Sequence, residues 1–185
     1  MTTIRNLSFI FVIVIFFAGC GSDSDRQVAP PPEDVEQELT QFKLVRMLKG
    51  KTKWKLNAET ATFLESDMVK IGTVELLIFG DNEGEVMTIL GDEGEVNQRT
   101  NDIKITGNVK GVHSDGGSLT TEEIYWSDRK GKLYTLPGIM VTINYEDSVI
   151  VGEELEADPE LETATLKNAT GVTRSEEKQS ENPED

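Results

Sequence analysis

Cysteine and histidine are almost missing from this chain of 185 residues, which has one of each, Cys20 and His113. A lone thiol forms no intramolecular disulfide. A lone imidazole without partner thiols nearly excludes a structural zinc site, which draws its ligands from several Cys and His residues. The same scarcity argues against catalysis. His113 stands in His113-Ser114-Asp115, ahead of Gly116-Gly117. A Ser–His–Asp constellation is assembled in space around an oriented imidazole, whereas these three are consecutive, so the segment reads as a solvated turn. Oxygen-rich Asp81-Asn82-Glu83 and Asp92-Glu93 lack the alternating spacing of a calcium loop. There is no phosphate loop and no dinucleotide fingerprint. The expectation is a protein that is not an enzyme and holds no cofactor or metal. Basic charge is scarce too: 18 Lys and Arg against 34 Asp and Glu give a net charge of −16. Nucleic-acid partners need a basic footprint and are excluded on that ground.

Long hydrophobic runs are also few. The one at the start, Leu7 to Phe17, is broken only by Ser8. It is shorter than the about 20 apolar residues that cross a bilayer as a helix. Arg5 before it and Phe17-Ala18-Gly19-Cys20 after it complete the pattern of a signal peptide, residues 1–19, ending in a bacterial lipobox. Cys20 would then be acylated and become the first residue of the mature chain, at a net charge near −17 once Arg5 is lost. More than one acyl chain, at about 0.8 kcal/mol per buried methylene, makes such an anchor stable. The alternatives are a short uncleaved anchor, or a secretory peptide followed by a stray thiol. Residues 20–40 read as a tether containing Pro30-Pro31-Pro32, semi-rigid and extended. The acidic tail, 173–185, has the composition of disorder.

What is present between residues 41 and 172 is period-2 alternation. Trp54, Leu56 and Ala58 alternate with Lys53, Lys55 and Asn57, and the same holds for Ile103, Ile105 and Val109 and for Ile139, Val141, Ile143 and Tyr145. Each is a half-buried strand. Turn clusters separate them: Lys49-Gly50-Lys51, Gly80-Asp81-Asn82, Asp115-Gly116-Gly117, Asp128 to Gly131 and Asp158-Pro159. Short strands with little helix predict an all-β antiparallel stack or jelly roll. Val35 to Leu48 has helical spacing at 35, 39, 42 and 45 but reads nearly as well as a strand through Phe42 and Leu44, and the favoured reading is an entry segment leading into a strand from about Gln41. Glycines 72, 107, 138 and 171, each beside an apolar residue, stand 35, 31 and 33 residues apart and suggest a repeated hairpin unit. Such a stack has open edges able to pair with a further strand. Lys49, Lys51, Lys53 and Lys55 share the face opposite Trp54 and Leu56. With Lys43 and Arg46 they form a basic end, suited to an acidic partner or anionic headgroups, or simply to discouraging aggregation.

In succession, Trp54-Lys-Leu56-Asn-Ala58-Glu-Thr-Ala61, Thr106-Gly107-Asn108-Val109, Gly117-Ser-Leu119-Thr120-Thr121 and Val151-Gly152-Glu-Glu-Leu155 behind a lipobox and a proline linker resemble the LptC family of lipopolysaccharide export. The resemblance runs from about Gln41 to Val172. It implies a twisted, V-shaped β-jellyroll whose apolar interior shields acyl chains while the sugars stay in water. It implies an N-terminal edge docked on the inner-membrane lipopolysaccharide ABC transporter and a C-terminal edge paired with a soluble LptA-type bridge protein. The lipid-binding interior would comprise Leu56, Ala58, Ile71, Ile89, Ile103, Ile105, Leu119, Ile124, Val141, Ile143, Leu155 and Leu161. Gly107 and Gly152 fall where the family has glycine, for bends or close backbone approach.

The expected location is the periplasm, anchored to the inner membrane. Two departures bear on it. Many relatives keep an uncleaved transmembrane helix, whereas this chain reads as lipidated. Gly21 replaces the Asp that marks inner-membrane retention in some bacteria, which leaves the outer membrane as the alternative. The alternative function is a β-rich periplasmic lipoprotein that scaffolds an assembly through its edges without binding lipid.

Overall fold

A computed structural model describes residues 35–145 and 147–173. Ten antiparallel strands form one sheet: β1 (Val35–Leu48), β2 (Lys51–Leu64), β3 (Met68–Phe79), β4 (Glu85–Asn97), β5 (Ile103–His113), β6 (Ser118–Ser127), β7 (Lys132–Tyr134), β8 (Met140–Tyr145), β9 (Ser148–Ala157) and β10 (Ala164–Thr173). The strands follow sequence order across the sheet, except that β7 and β8 share one place between β6 and β9. The turn clusters of the sequence are the hairpin turns. This is the all-β, jellyroll-type architecture that the alternation predicts. The first strand begins at Val35 rather than near Gln41, so it takes in the end of the segment read as tether.

The long strands do not run straight. Gln41, Thr73, Asn108, Glu154 and Asn168 have positive φ, between 46° and 55°, as does Gly107 at 75°. The pairing registers put Gln41, Glu59, Thr73 and Asp92 side by side, and the β4–β5 register slips where Asp92 meets Gly107 and Asn108. Left-handed residues at the same level of β1, β3, β5, β9 and β10, with the β4–β5 slip, bend the sheet along one line. The outcome is a corner that crosses the whole sheet. It explains the burial pattern. Inward positions step by two along each strand, but by three across the corner: Ala58 to Ala61, Ile71 to Val74, Gly152 to Leu155. The sheet thereby folds into two walls that share one inner face. One wall holds Leu56, Leu76, Ile89, Leu119 and Val141, and the other Ile71, Val96, Ile105, Ile124 and Leu155.

Polar side chains occupy the outside of the bend. Thr73 Oγ1 donates to Glu59 Oε2 at 3.1 Å, and Asn108 Nδ2 donates to Asp92 Oδ2 at 2.6 Å. β7 and β8 are one strand interrupted at the corner. There Thr135 keeps the pairing alive, its N–H donating to Leu155 O at 3.0 Å and its Oγ1 accepting the Leu155 N–H at 2.9 Å.

Two expectations need correction, and one open choice is settled. The 35–39–42–45 spacing belongs to a strand, the favoured reading, and not to a helix. Leu39 and Phe42 lie on one face because the corner at Gln41 adds the three-residue step, and Val45 is exposed. The four spaced glycines are not equivalent. Gly72 is mid-strand, Gly107 lies at the bulge, Gly138 is in the β7–β8 loop, and Gly171 is on the edge strand β10. The element that recurs is the corner. Finally, His113 is not a solvated residue but the inward-facing end of β5, 8% exposed, with its Nδ1 accepting the Asp115 N–H at 3.1 Å.

Candidate functional site

The site that the sequence points to is the shared inner face of the two walls. Of the residues expected there, Leu56, Ala58, Ile71, Ile89, Ile103, Ile105, Leu119, Ile124, Val141, Ile143 and Leu155 are all 7% exposed or less and belong to one core cluster. Leu161 stands apart. It is half-buried in the β9–β10 turn and packs on the cluster from outside. Alternation already places Trp54 on this face beside Leu56, although not in the lipid-binding set, whereas sequence reasoning omitted other members, among them Ala61, Val74, Leu76, Met87 and Trp126. Val74-x-Leu76-x-Ile78 carries a plain alternation signal, and Ala61 follows from Ala58 once the three-residue step is known.

Gly107 sits on the bulge at positive φ, where a Cβ would meet Asp92 Oδ2 at 2.8 Å. Gly152 is buried on β9, where a Cβ would meet Lys167 O of β10 at 2.9 Å. Bend and close approach are therefore separate jobs of the two glycines. Cys20 lies outside the described residues.

The far lips of the two walls meet at one place. Asp128, in the β6–β7 turn of one wall, accepts from Trp54 Nε1 at 2.8 Å through Oδ1 and from Arg46 Nε at 3.2 Å through Oδ2. Trp54 and Arg46 belong to the other wall, and β2 is no sheet neighbour of β6. This clasp is possible only because the sheet has folded over. Beside it the lysine ladder is sorted by its neighbours. Lys51 Nζ donates to Asp81 O at 2.7 Å, Lys53 Nζ to Asp81 Oδ1 at 3.0 Å, and Lys55 Nζ stands 4.9 Å from the Phe79 ring centre. The Lys53 hydrogen bond holds the Asp81 carboxyl below its ordinary range.

Among the described residues the sheet's outer strands are unpaired on one side: β1 pairs only with β2, and β10 only with β9. Exposed apolar side chains gather at both edges, Val45, Met47 and Leu48 on β1, and Val149, Ile150 and Val172 on β9 and β10. Among the described residues no three His, Cys, Asp or Glu side chains are grouped to hold a metal, and no helix is long and apolar enough to cross a membrane.

A family model described as "Lipopolysaccharide-assembly, LptC-related" matches residues 7–174. The chain belongs to the LptC family. No curated protein matches it in sequence. Membership in the LptC family gives it a role in lipopolysaccharide transport, as a transport component rather than an enzyme, in the periplasm and associated with the inner membrane. Its partners are those of the lipopolysaccharide-transport system. The motifs that carry the LptC resemblance have a structural reason. Ala58-Glu-Thr-Ala61, Thr106-Gly107-Asn108-Val109 and Gly152-Glu-Glu-Leu155 are three crossings of the corner.

Proposed function

We propose that this LptC-family protein, tethered by acylated Cys20, receives lipopolysaccharide from the inner-membrane ABC transporter and hands it to an LptA-type bridge protein. The observation that supports this reading is a continuous apolar inner face running from edge strand to edge strand. Each end is open for strand addition and flanked by exposed apolar side chains. The β1 edge would meet the transporter and the β9–β10 edge the bridge, so the inner faces of three proteins would join end to end. Acyl chains would enter by parting the two walls at their lips, since the corner holds them together on the other side.

A second reading, a scaffold that binds partners through its edges around a dry core, draws support from how closely the inner face is packed. Site-specific photo-crosslinking in cells separates the two. A photoreactive residue at Ile105 faces the interior, and one at Lys104 faces outward beside Glu123. Lipopolysaccharide adducts at Ile105 and none at Lys104 are expected. Adducts at neither position, in a folded and correctly placed protein, would leave the scaffold.

A further inference from the structure

Next to the Asp128 clasp lies a cavity of about 300 Å³, at the lower bound of about 300 Å³ for small-molecule sites. The ends of β1 to β3 supply one side, and the β6–β7 and β9–β10 turns the other. Arg46, Lys53, Arg129 and Lys130 all line it, in a chain whose net charge is −16. Three acids line it as well. Asp128 is engaged by Arg46 and Trp54, Asp81 by Lys51 and Lys53, and Glu160 lies near Gly80. Among the described residues no carboxylate lies within hydrogen-bond or ion-pair range of Arg129 or Lys130, although Glu156 feels the charge of Lys130 at longer range, and both cations are exposed. Trp126 contributes the second observation. It lines the same cavity, is only 5% exposed, and its indole N–H is buried without a hydrogen-bond partner. A buried donor left unpaired costs about 1–3 kcal/mol, which an acceptor bound in the cavity would recover. Two exposed cations without a hydrogen-bonded carboxylate among the described residues, beside an orphaned N–H, suit an anion with several acceptor oxygens. Ile78 and Trp126 also belong to the apolar core, so the cavity places charged groups at the lip directly against the edge of that core.

We propose that this cavity binds a phosphate group, namely that of an amphiphile's phosphorylated headgroup, held at the lip while its acyl chains pass between the walls. Arg129 and Lys130 are its ligands, and the Trp126 N–H, which has no exposed surface while the walls are closed, joins them when the lips part. The inference rests on the lipid-carriage reading for the source of the phosphate, but not for the anion site itself.

The test measures binding to the full chain in detergent of three probes: a phosphorylated lipid A, the same lipid with its phosphates removed, and inorganic phosphate. The phosphorylated lipid should bind roughly tenfold more tightly than its dephosphorylated form. Arg129→Ala with Lys130→Ala should erase that preference, and Trp126→Phe, which keeps a ring but loses the N–H, should reduce it. Both substituted cations are exposed, so folding should survive, and unchanged circular dichroism confirms it. Equal binding of the two lipids, or a preference that persists in the double variant, overturns the site and leaves lipid carriage standing. Inorganic phosphate binding that the double variant abolishes, with no lipid bound, supports the anion site and overturns both its headgroup source and the transport reading. No binding of any probe overturns all of it.

Discussion

Gly94 of β4 pairs with Ile105 of β5 on the inner surface, and Gly91 lies one corner step away on the same strand. Ile105 fills the space that Gly91 leaves, and Ile71 with the Lys104 carbonyl fills the space at Gly94. A Cβ at Gly91 would stand 2.3 Å from Ile105 Cγ2, and one at Gly94 would stand 2.6 Å from Lys104 O and 3.2 Å from Ile71 Cγ1. A side chain can turn away from such a contact, but a backbone carbonyl within a ladder cannot. Gly94→Ala should therefore destabilise the domain by about 1–3 kcal/mol, the usual cost of overpacking. Thermal unfolding should show a midpoint lower by roughly 5–10 °C. An unchanged midpoint would mean that the two strands separate more easily at the corner than their pairing implies. The residue scale is also where the sequence was most readable. Leu56, Ile89, Ile105 and Val141 declare their side of the sheet by alternation alone, because a straight strand segment admits no other pattern.

At the element scale, alternation fails wherever a strand turns the corner. The rule of two assumes an unbroken pleat, and a left-handed residue such as Thr73 or Asn108 resets the phase. Leu39 and Phe42 then stand three apart on one face, the spacing of a helix, and so β1 was ambiguous from sequence. Beyond the corner, on the outer surface, β5 and β6 are tied by side chains. Lys104 Nζ lies 2.8 Å from Glu123 Oε2, Tyr125 Oη donates to Glu123 Oε1 at 2.8 Å, and the Tyr125 ring stacks on Tyr134 at 5.1 Å. Burial pushes the Glu123 carboxyl up, but the hydrogen bonds from Lys104 and Tyr125 outweigh it and hold the group below its ordinary range. A carboxyl lowered on folding stabilises above its unfolded pKa, about 4.3, and that contribution disappears as pH falls through the folded value. Glu123→Gln should thus cost about 1 kcal/mol at neutral pH and little in acid. Denaturant midpoints of the two proteins, taken from pH 7 down to pH 3, should converge. A constant gap across that range would assign the loss to packing instead of charge.

At the scale of the whole molecule, the decisive contacts join residues far apart in the chain. Trp54 and Asp128 are separated by 74 positions and Arg46 and Asp128 by 82. No local pattern in the sequence announces them, since they exist only after the corner has brought one wall over the other. The same folding buries His113, whose Ser-Asp-Gly-Gly neighbourhood reads as solvent-exposed when only its own segment is considered. The clasp also decides how the walls come apart. Asp128→Ala leaves the indole N–H of Trp54 buried and unpaired, a loss of about 1–3 kcal/mol, while half-exposed Arg46 is rehydrated at little cost. If the clasp is the closure of the lips, the penalty is local. Amides of β2 near Trp54 and of β6 near Trp126 should exchange with solvent faster, whereas those of β9 and β10, at the far edge of the sheet, keep their protection. Lipid should also enter such a variant more readily, because the corner, which Asp128 does not touch, still holds the walls in register. Uniformly faster exchange across all the strands would instead make Asp128 a support of the entire fold, and the walls would then part only by unfolding.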